Sequence, residues 1–508
     1  MIRRVFLLLA VVAAGVWAGP ADDGGEAEGA VGFASRWVMD RSRAFAKGRY
    51  GADLRPILAF VWYPAVSEGA DESRPLTLGG HLDRIVASSP DAGTRDLAEP
   101  LRAYSVESLR RYAIDPIADD EAEAERLLER MLAEERPSRP GAEPAAGRHP
   151  VVIYHPGLGG NMLENIGLFE RLAARGYVVI SSPFLHMEAW QEHFFCGALS
   201  TSLGDFGVLI NAVAAEFPSA DTTRVALIGH SFGAQAVLVA ACEPNNTIDA
   251  VISLDSTMDG VSIERIRSPM YRSTSWHEVL GAVTDRWAHC GAAVLAVSAP
   301  KADGRSSPDY AVVRRLLDAR LYMATVNGAI AHEAFLSEAV SARALLDAAG
   351  EHADWVFERR AFERMVGMVG AFLDQELKQR GSMSLEYGEE VSVEARAPVI
   401  RPSGDEVLAL YETGGLKGLK DRYRSLQAVS PRAGFNPYPT LDHLARRGAH
   451  AEAIELLEFL LSFESNEGNW RLEQRLGEAL QSAGDDERAA VHFRRALVDC
   501  DDPESAGR

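Results

Sequence analysis

Arg224-Val225-Ala226-Leu227-Ile228-Gly229-His230-Ser231-Phe232-Gly233-Ala234-Gln235-Ala236-Val237-Leu238-Val239 reads without a break as a strand, a sharp turn and a helix. The turn is a G-x-S-x-G pentapeptide. A serine hydroxyl is a weak nucleophile until a strained turn lifts it out of a sheet, beside a histidine base and a helix N-terminus. Glycines on both sides let the backbone cross itself where a Cβ would clash. With 44 Gly in 508 residues, chance supplies roughly 0.3 such pentapeptides in a chain of this length. The flanking strand and helix therefore carry the signal; an ordinary Gly-rich strand-to-helix turn is the competing reading.

The same alternation extends outward on both sides. Upstream lie a short apolar strand at Val151 to Tyr154, a helix over Leu163 to Arg175, a strand at Tyr177 to Ser182 and a helix over Ser202 to Phe217. Downstream, Ala250 to Leu254, Ala292 to Val297 and Leu321 to Val326 supply three more apolar strands, and Val356 to Gln379 an amphipathic helix. Repeated βα units with continuously apolar strands predict a mostly parallel sheet covered on both faces, an α/β fold.

Before this core, residues 21 to 45 read as a polar, Gly/Ala-rich leader. Ile57 to Tyr63 reads as a strand ended by Pro64, and residues 66 to 115 as an irregular excursion. Asp119 to Glu135 predicts a charged helix with an apolar stripe of Leu127, Leu128, Met131 and Leu132. Pro137, Pro140 and Pro144 then suggest a stiff linker.

After a polar break from Gly381 to Pro402 the chain is helical and self-similar. Leu444, Gly448, Ala453, Leu457 and Leu461 recur 36 residues later as Leu480, Gly484, Ala489, Phe493 and Leu497. The glycine followed five residues on by alanine suits a tight turn and a close helix contact. The tail thus resembles tetratricopeptide repeats, with two unrelated helical hairpins as the alternative.

Apolar content of 47% and charged content of 25% are ordinary globular values. The net charge of −21 disfavours nucleic acid or an anionic membrane as the main partner. Arg3 and Arg4, the apolar run Val5 to Val16, and Val16-Trp17-Ala18 read as a signal peptide cleaved after Ala18, which implies a secreted or periplasmic protein. Cys196, Cys242, Cys290 and Cys500 show no C-x-x-C spacing. A metal site is not expected, and the sequence does not choose a disulfide pairing.

Acyl transfer needs a nucleophile, a base, an acid that orients the base, and donors for the oxyanion. Ser231 is the nucleophile, and the Phe232 amide at the following helix start is one donor. The loop after Tyr154, His155-Pro156-Gly157-Leu158-Gly159-Gly160, can turn amides inward, and the Leu158 amide is assigned as the second donor. For the acid, Asp255 ends the strand Ala250 to Leu254, while Asp303 occupies the next strand edge, and both stay open. His332 lies just beyond the last strand, ahead of Glu333-Ala334-Phe335-Leu336, and is the assigned base. His155 and His230 are expected to pack or give polar support. Phe184, Leu185, Trp190, Phe194 and Phe195 either line an acyl pocket or fill a core beneath a loop.

His155 with Gly157-Leu158-Gly159, Gly229-His230-Ser231-Phe232-Gly233, Leu254-Asp255, His332 followed by Phe335, and Trp62-Tyr63-Pro64 together resemble the α/β-hydrolase superfamily. Within it they resemble the plasma-type platelet-activating-factor acetylhydrolases and their bacterial relatives. The resemblance covers about residues 55 to 340, and Pro156 departs from its pattern. It implies that Asp255 is the triad acid with Ser231 and His332, that no cofactor is needed, and that the substrate is a small or lipid ester with a short acyl chain.

The expected organisation is a signal peptide at 1–18, an α/β-hydrolase domain at 21–385, a linker at 386–402 and a tetratricopeptide-like helical tail at 403–508. The tail is expected to bind a protein partner. The expected activity is serine esterase chemistry. The same triad would also serve an amidase, peptidase or thioesterase, and a catalytically silent interaction protein is the rival of another class.

Overall fold

A computed structural model describes residues 29–43, 54–66, 74–185, 199–243, 247–268, 270, 274–284, 290–300, 308–328, 330–347, 352–399, 401–429, 433–463, 466 and 469–499. The segment read as a signal peptide and the residues Trp190, Phe194, Phe195, Cys196, Asp303 and Cys500 lie outside these. The chain divides into a unit ending at Ala397 and a helical unit from Pro398.

The strands of the first unit are β1 (Ala30–Asp40), β2 (Arg55–Ala65), β3 (Ser138–Pro140), β4 (His149–His155), β5 (Val178–Ser181), β6 (Ala220–His230), β7 (Ala250–Leu254), β8 (Ala293–Ser298), β9 (Leu321–Val326), β10 (Glu386–Tyr387) and β11 (Val391–Arg396). They form one sheet in the order β10-β11-β9-β8-β7-β6-β4-β5-β2-β1-β3. The run from β9 through β5 is parallel, as the apolar strand cores predict. Antiparallel β2 and β1 extend one edge, and β11 and β10 the other.

Strand periodicity sorts neighbouring residues onto opposite faces. Val152, Tyr154, Ala226, Ile228, Ile252 and Leu254 join one core with the helices Ile166–Ala174 and Ala353–Lys378. Val151, Ile153, Val225, Leu227 and Val251 join the other with Leu199–Glu216 and Phe232–Cys242. Strand order reverses at β4, with β5 on one side and β6 on the other. The crevice at the carboxyl ends of β4 and β6 is therefore where such a sheet holds a site.

Several expectations need correction. The leader read at 21–45 contains β1, which pairs along the whole of β2. A Cβ at Gly32 would lie 2.2 Å from the Tyr63 ring, so the glycine is what lets that ring cover the strand. Pro64 does not end β2, because it is paired with Val31 near an edge where its missing N–H is tolerated. The excursion at 66–115 holds the helices Leu78–Ala87 and Ala92–Leu109, and the charged helix is Glu121–Ala133. All three start on caps: Thr77, Asp91 and Asp120 each accept the amide three residues ahead. Pro100 lies inside the second helix and masked its pattern. Part of the proline linker is β3, parallel to β1. The break read as a linker from 386 contains β10 and β11. Its polar residues fit a strand near the sheet edge, since half of β11 is exposed while it is paired to β9 and meets β10 at only two residues.

In the helical unit, Tyr438–Arg446 with His450–Leu461 and Trp470–Ser482 with Asp486–Asp499 form helical hairpins. The 36-residue recurrence is carried by the turns. Gly448 and Gly484 have φ of 68° and 85°. The Ala449 amide bonds the Leu444 carbonyl at 2.9 Å, and Asp485 bonds Leu480 at 2.9 Å. A glycine in the left-handed region after each helix satisfies carbonyls that would otherwise end unpaired. The pattern lapses at its end, where Leu497 is exposed.

Candidate active site

Ser231 sits between β6 and the helix Phe232–Cys242 with φ 54° and ψ −111°. That is left-handed backbone for a residue with a Cβ, a conformation costing on the order of 1–3 kcal/mol that surrounding structure must hold. The glycines explain how. A Cβ on Gly229 would lie 2.1 Å from the Gly233 carbonyl oxygen, and a Cβ on Gly233 would lie 2.1 Å from the His155 carbonyl oxygen. The strand and helix cross at Gly229, and the helix start presses on the end of β4 at Gly233. The Ser231 amide donates to the Leu254 carbonyl at 3.0 Å, tying the turn to the end of β7.

Asp255 follows at once, with φ 43° and near-complete burial. Its amide bonds the Val297 carbonyl at 2.7 Å, and Ser298 Oγ donates to Oδ1 at 2.8 Å. Oδ2 accepts from His332 Nδ1 at 2.5 Å. His332 opens the short 3₁₀ turn His332–Phe335 after β9, its side chain 30% exposed. Asp255 and His332 are therefore brought together, while Asp303 lies outside the described residues. With Nδ1–H committed to a carboxylate, the imidazole presents Nε2 as a base.

The β4 loop lies against Ser231. A Cβ on Gly157 would come 3.4 Å from the Ser231 Cβ and 3.0 Å from His230 Nδ1. Leu158, which follows, has its side chain exposed. Among the described residues its amide has no acceptor. The Phe232 amide stands in the first turn of its helix, where no intrahelical acceptor exists. The helical excursion braces this loop: Tyr104 Oη and Ser108 Oγ donate to the Gly159 carbonyl at 2.8 and 2.9 Å. A segment that read as irregular thus braces the loop after β4.

The flanking histidines differ. His155 is fully buried and its pKa is pushed down to about 4 by desolvation, so it is neutral. Its Nδ1–H donates to the Pro156 carbonyl at 2.8 Å, so Nε2 accepts from Ser202 Oγ at 2.8 Å. Phe184 stacks on it with ring centroids 4.0 Å apart and meets Phe206 at 5.1 Å. Phe184 and Leu185 are therefore core, not pocket. Leu185 is also held by buried Arg55, whose Nη2 donates to its carbonyl at 2.6 Å while the guanidinium grips Asp205 through two bonds. His230 faces the site instead. Its Nε2–H donates to the His332 carbonyl at 3.3 Å, and the two rings lie 4.5 Å apart.

Ser298, Tyr104, Ser108 and Glu164 escaped the reading of the sequence. Ser298 ends β8 next to Asp255, and position on that strand edge was its one signal. Among the described residues no cluster of His, Cys, Asp and Glu could hold a metal ion. No described helix is long and apolar enough to cross a membrane. Cys242 and Cys290 are buried thiols.

The sheet order, the elbow after β6, and the placement of Asp255 and His332 beyond later strands are those of the α/β-hydrolase fold. No protein-family profile and no curated protein matches the chain. Among solved structures, it is similar to a ferulic acid esterase from Streptomyces cinnamoneus, with 16% identity, a TM-score of 0.45, and coverage of 74% of this chain and 98% of that one. It is also similar to an acylaminoacyl peptidase of Pyrococcus horikoshii, with 12% identity and a TM-score of 0.34, covering 69% of this chain and 43% of that chain. A puromycin-hydrolyzing peptidase of Mycobacterium tuberculosis shares 14% identity with a TM-score of 0.33, covering 70% and 41% respectively. At such low identities and TM-scores, the chemistry of the site rests on its own geometry.

Proposed function

We propose that the protein is a serine hydrolase that cleaves carboxylic esters through an acyl-enzyme. The observation that carries this is the Asp255–His332 hydrogen bond at the same sheet edge as the strained Ser231 elbow. His332 Nε2 takes the Ser231 proton as Oγ attacks the ester carbonyl, and Asp255 stabilises the imidazolium that forms. The Leu158 and Phe232 amides hold the oxyanion. Collapse expels the alcohol, which takes the proton from His332, and water then repeats the sequence to release the acid.

The proposed substrate is a lipid or small ester with a short acyl group. Support comes from the sequence resemblance and from Leu158, an exposed apolar side chain beside the nucleophile. We place the protein outside the cytoplasm on the strength of its N-terminal sequence, and assign the tetratricopeptide-like tail to a protein partner. The test is turnover of p-nitrophenyl acetate, butyrate and octanoate, and of a phospholipid with a short second acyl chain, by the wild type and Ser231→Ala. Short esters should be preferred and the variant should be inactive. Activity that rises toward long chains would remove the short-acyl assignment, and an active variant would remove the mechanism.

A further inference from the structure

Glu164 lies on the turn between β4 and the helix Ile166–Ala174, with its carboxyl buried beneath the oxyanion loop. One oxygen gathers donors from two directions. Oε1 accepts the Tyr154 hydroxyl from β4 at 2.8 Å and the Gly157 amide from the loop at 3.1 Å. His230 Nδ1, from the elbow, is 3.8 Å from the same oxygen. The other oxygen fills the space beside Gly160, where a Cβ would lie 2.0 Å from Oε2. A side chain at that position would displace the carboxyl.

Each contact leads to a part of the catalytic set. The Gly157 amide belongs to the peptide just before the Gly157–Leu158 peptide, so holding it anchors the loop one residue ahead of the Leu158 N–H. His230 connects Glu164 to the base, because its Nε2–H holds the His332 carbonyl and its ring lies against the His332 ring. We propose that Glu164 is a positioning residue for this site, aiming the oxyanion loop through Gly157 and seating the base through His230. The inference rests on the serine-hydrolase reading and deepens it.

Burial pushes the Glu164 pKa up to about 7, with the Tyr154 hydroxyl, the Gly157 amide and the positive field of His332 opposing that rise. The groups facing it are Tyr154 from β4, His230 from β6 and His332 from the 3₁₀ turn. The helix Ser337–Leu346 meets its backbone through the Glu338 amide, while the Glu338 carboxylate turns away to Arg136. Below about pH 7 the carboxyl is protonated, and its attraction for positive charge on His332 is lost. Above that pH the ionised form favours the imidazolium that forms on His332 as Ser231 attacks.

The test is the rate at which a fluorophosphonate labels Ser231, measured at pH 6 and pH 8 in the wild type, Glu164→Gln and Tyr154→Phe. Glu164→Gln should be about ten-fold slower at pH 8 and within about two-fold of wild type at pH 6, where the wild-type carboxyl is itself neutral. Tyr154→Phe keeps the carboxyl but removes a donor that favours its ionised form. Its rate profile should move to higher pH by about half a unit or more. This second variant keeps the proposal testable if Glu164→Gln fails to fold. Equal rates for Glu164→Gln and wild type at both pH values would overturn the role. So would an equal deficit at both pH values, which marks a purely structural loss, or an unshifted Tyr154→Phe profile. A wild type that resists labelling altogether defeats the hydrolase reading first, and this proposal with it.

Discussion

His332 donates from Nδ1 to Oδ2 of Asp255 at 2.5 Å, across 77 residues of sequence. Asp255 has little freedom, since Ser298 holds its other oxygen and Val297 its amide. Asp255→Asn would present an NH2 group or lose the bond, turning the imidazole to the wrong tautomer. We expect kcat to fall by about 10⁴ with little change in Tm. Ser298→Ala should cost roughly ten-fold in kcat, about 1.4 kcal/mol of barrier. Esterase kinetics and a thermal melt on the two variants check both.

The Gly159 carbonyl accepts from Tyr104 and Ser108, and Asn161 Nδ2 donates to Ser108 Oγ at 3.4 Å, so the excursion braces the loop after β4. A Tyr104→Phe, Ser108→Ala double variant should lower kcat by about ten-fold and leave KM nearly unchanged, because the oxyanion forms after the ground state. A KM effect alone would mean that the brace shapes substrate binding instead.

Gly233→Ala places a Cβ 2.1 Å from the backbone oxygen of His155, which has no flexible end to yield. We expect a loss on the order of 3–5 kcal/mol in stability together with loss of activity. Denaturant unfolding of this variant beside Gly207→Ala, where a Cβ meets nothing within 4 Å, isolates the crossing from any general glycine effect.

Away from the site, Arg136 is buried with Glu134, Glu170 and Glu338 around it. Burial raises the Glu170 and Glu338 pKa values from 4.5 to about 7. The folded state therefore binds their protons more tightly than the unfolded chain. Their contribution to stability is fully present below about pH 4.5 and is lost as pH rises through about 7. Glu170→Gln should flatten the fall in Tm between pH 5 and pH 8. An unchanged slope would show that Glu170 does not titrate in this window.

The parallel core was legible because its strands are apolar throughout and each is bounded by a helix pattern. Ser231, Asp255 and His332 were legible for a related reason: Ser231 and Asp255 follow their strands directly and His332 follows β9 after a short loop, so strand order fixes the edge at which each emerges. What escaped was structure whose signal is tertiary. β1 and β11 lie next to the sheet edges and carry polar positions, and Gly32 gains its meaning only from the Tyr63 ring that covers it. The helices at 78–109 are announced by the caps Thr77 and Asp91 but blurred by Pro100. Glu164 carries no motif. Its meaning comes from Tyr154, Gly157 and His230, which the fold gathers around one oxygen.

The central claim is that Ser231 is a nucleophile activated by His332. Incubation with a fluorophosphonate, followed by intact mass and peptide mapping, tests it most directly. The wild type should gain one adduct, on the peptide containing Ser231, and His332→Ala should gain none in the same interval. An adduct on another residue, or labelling of Ser231 that persists undiminished in His332→Ala, would contradict it.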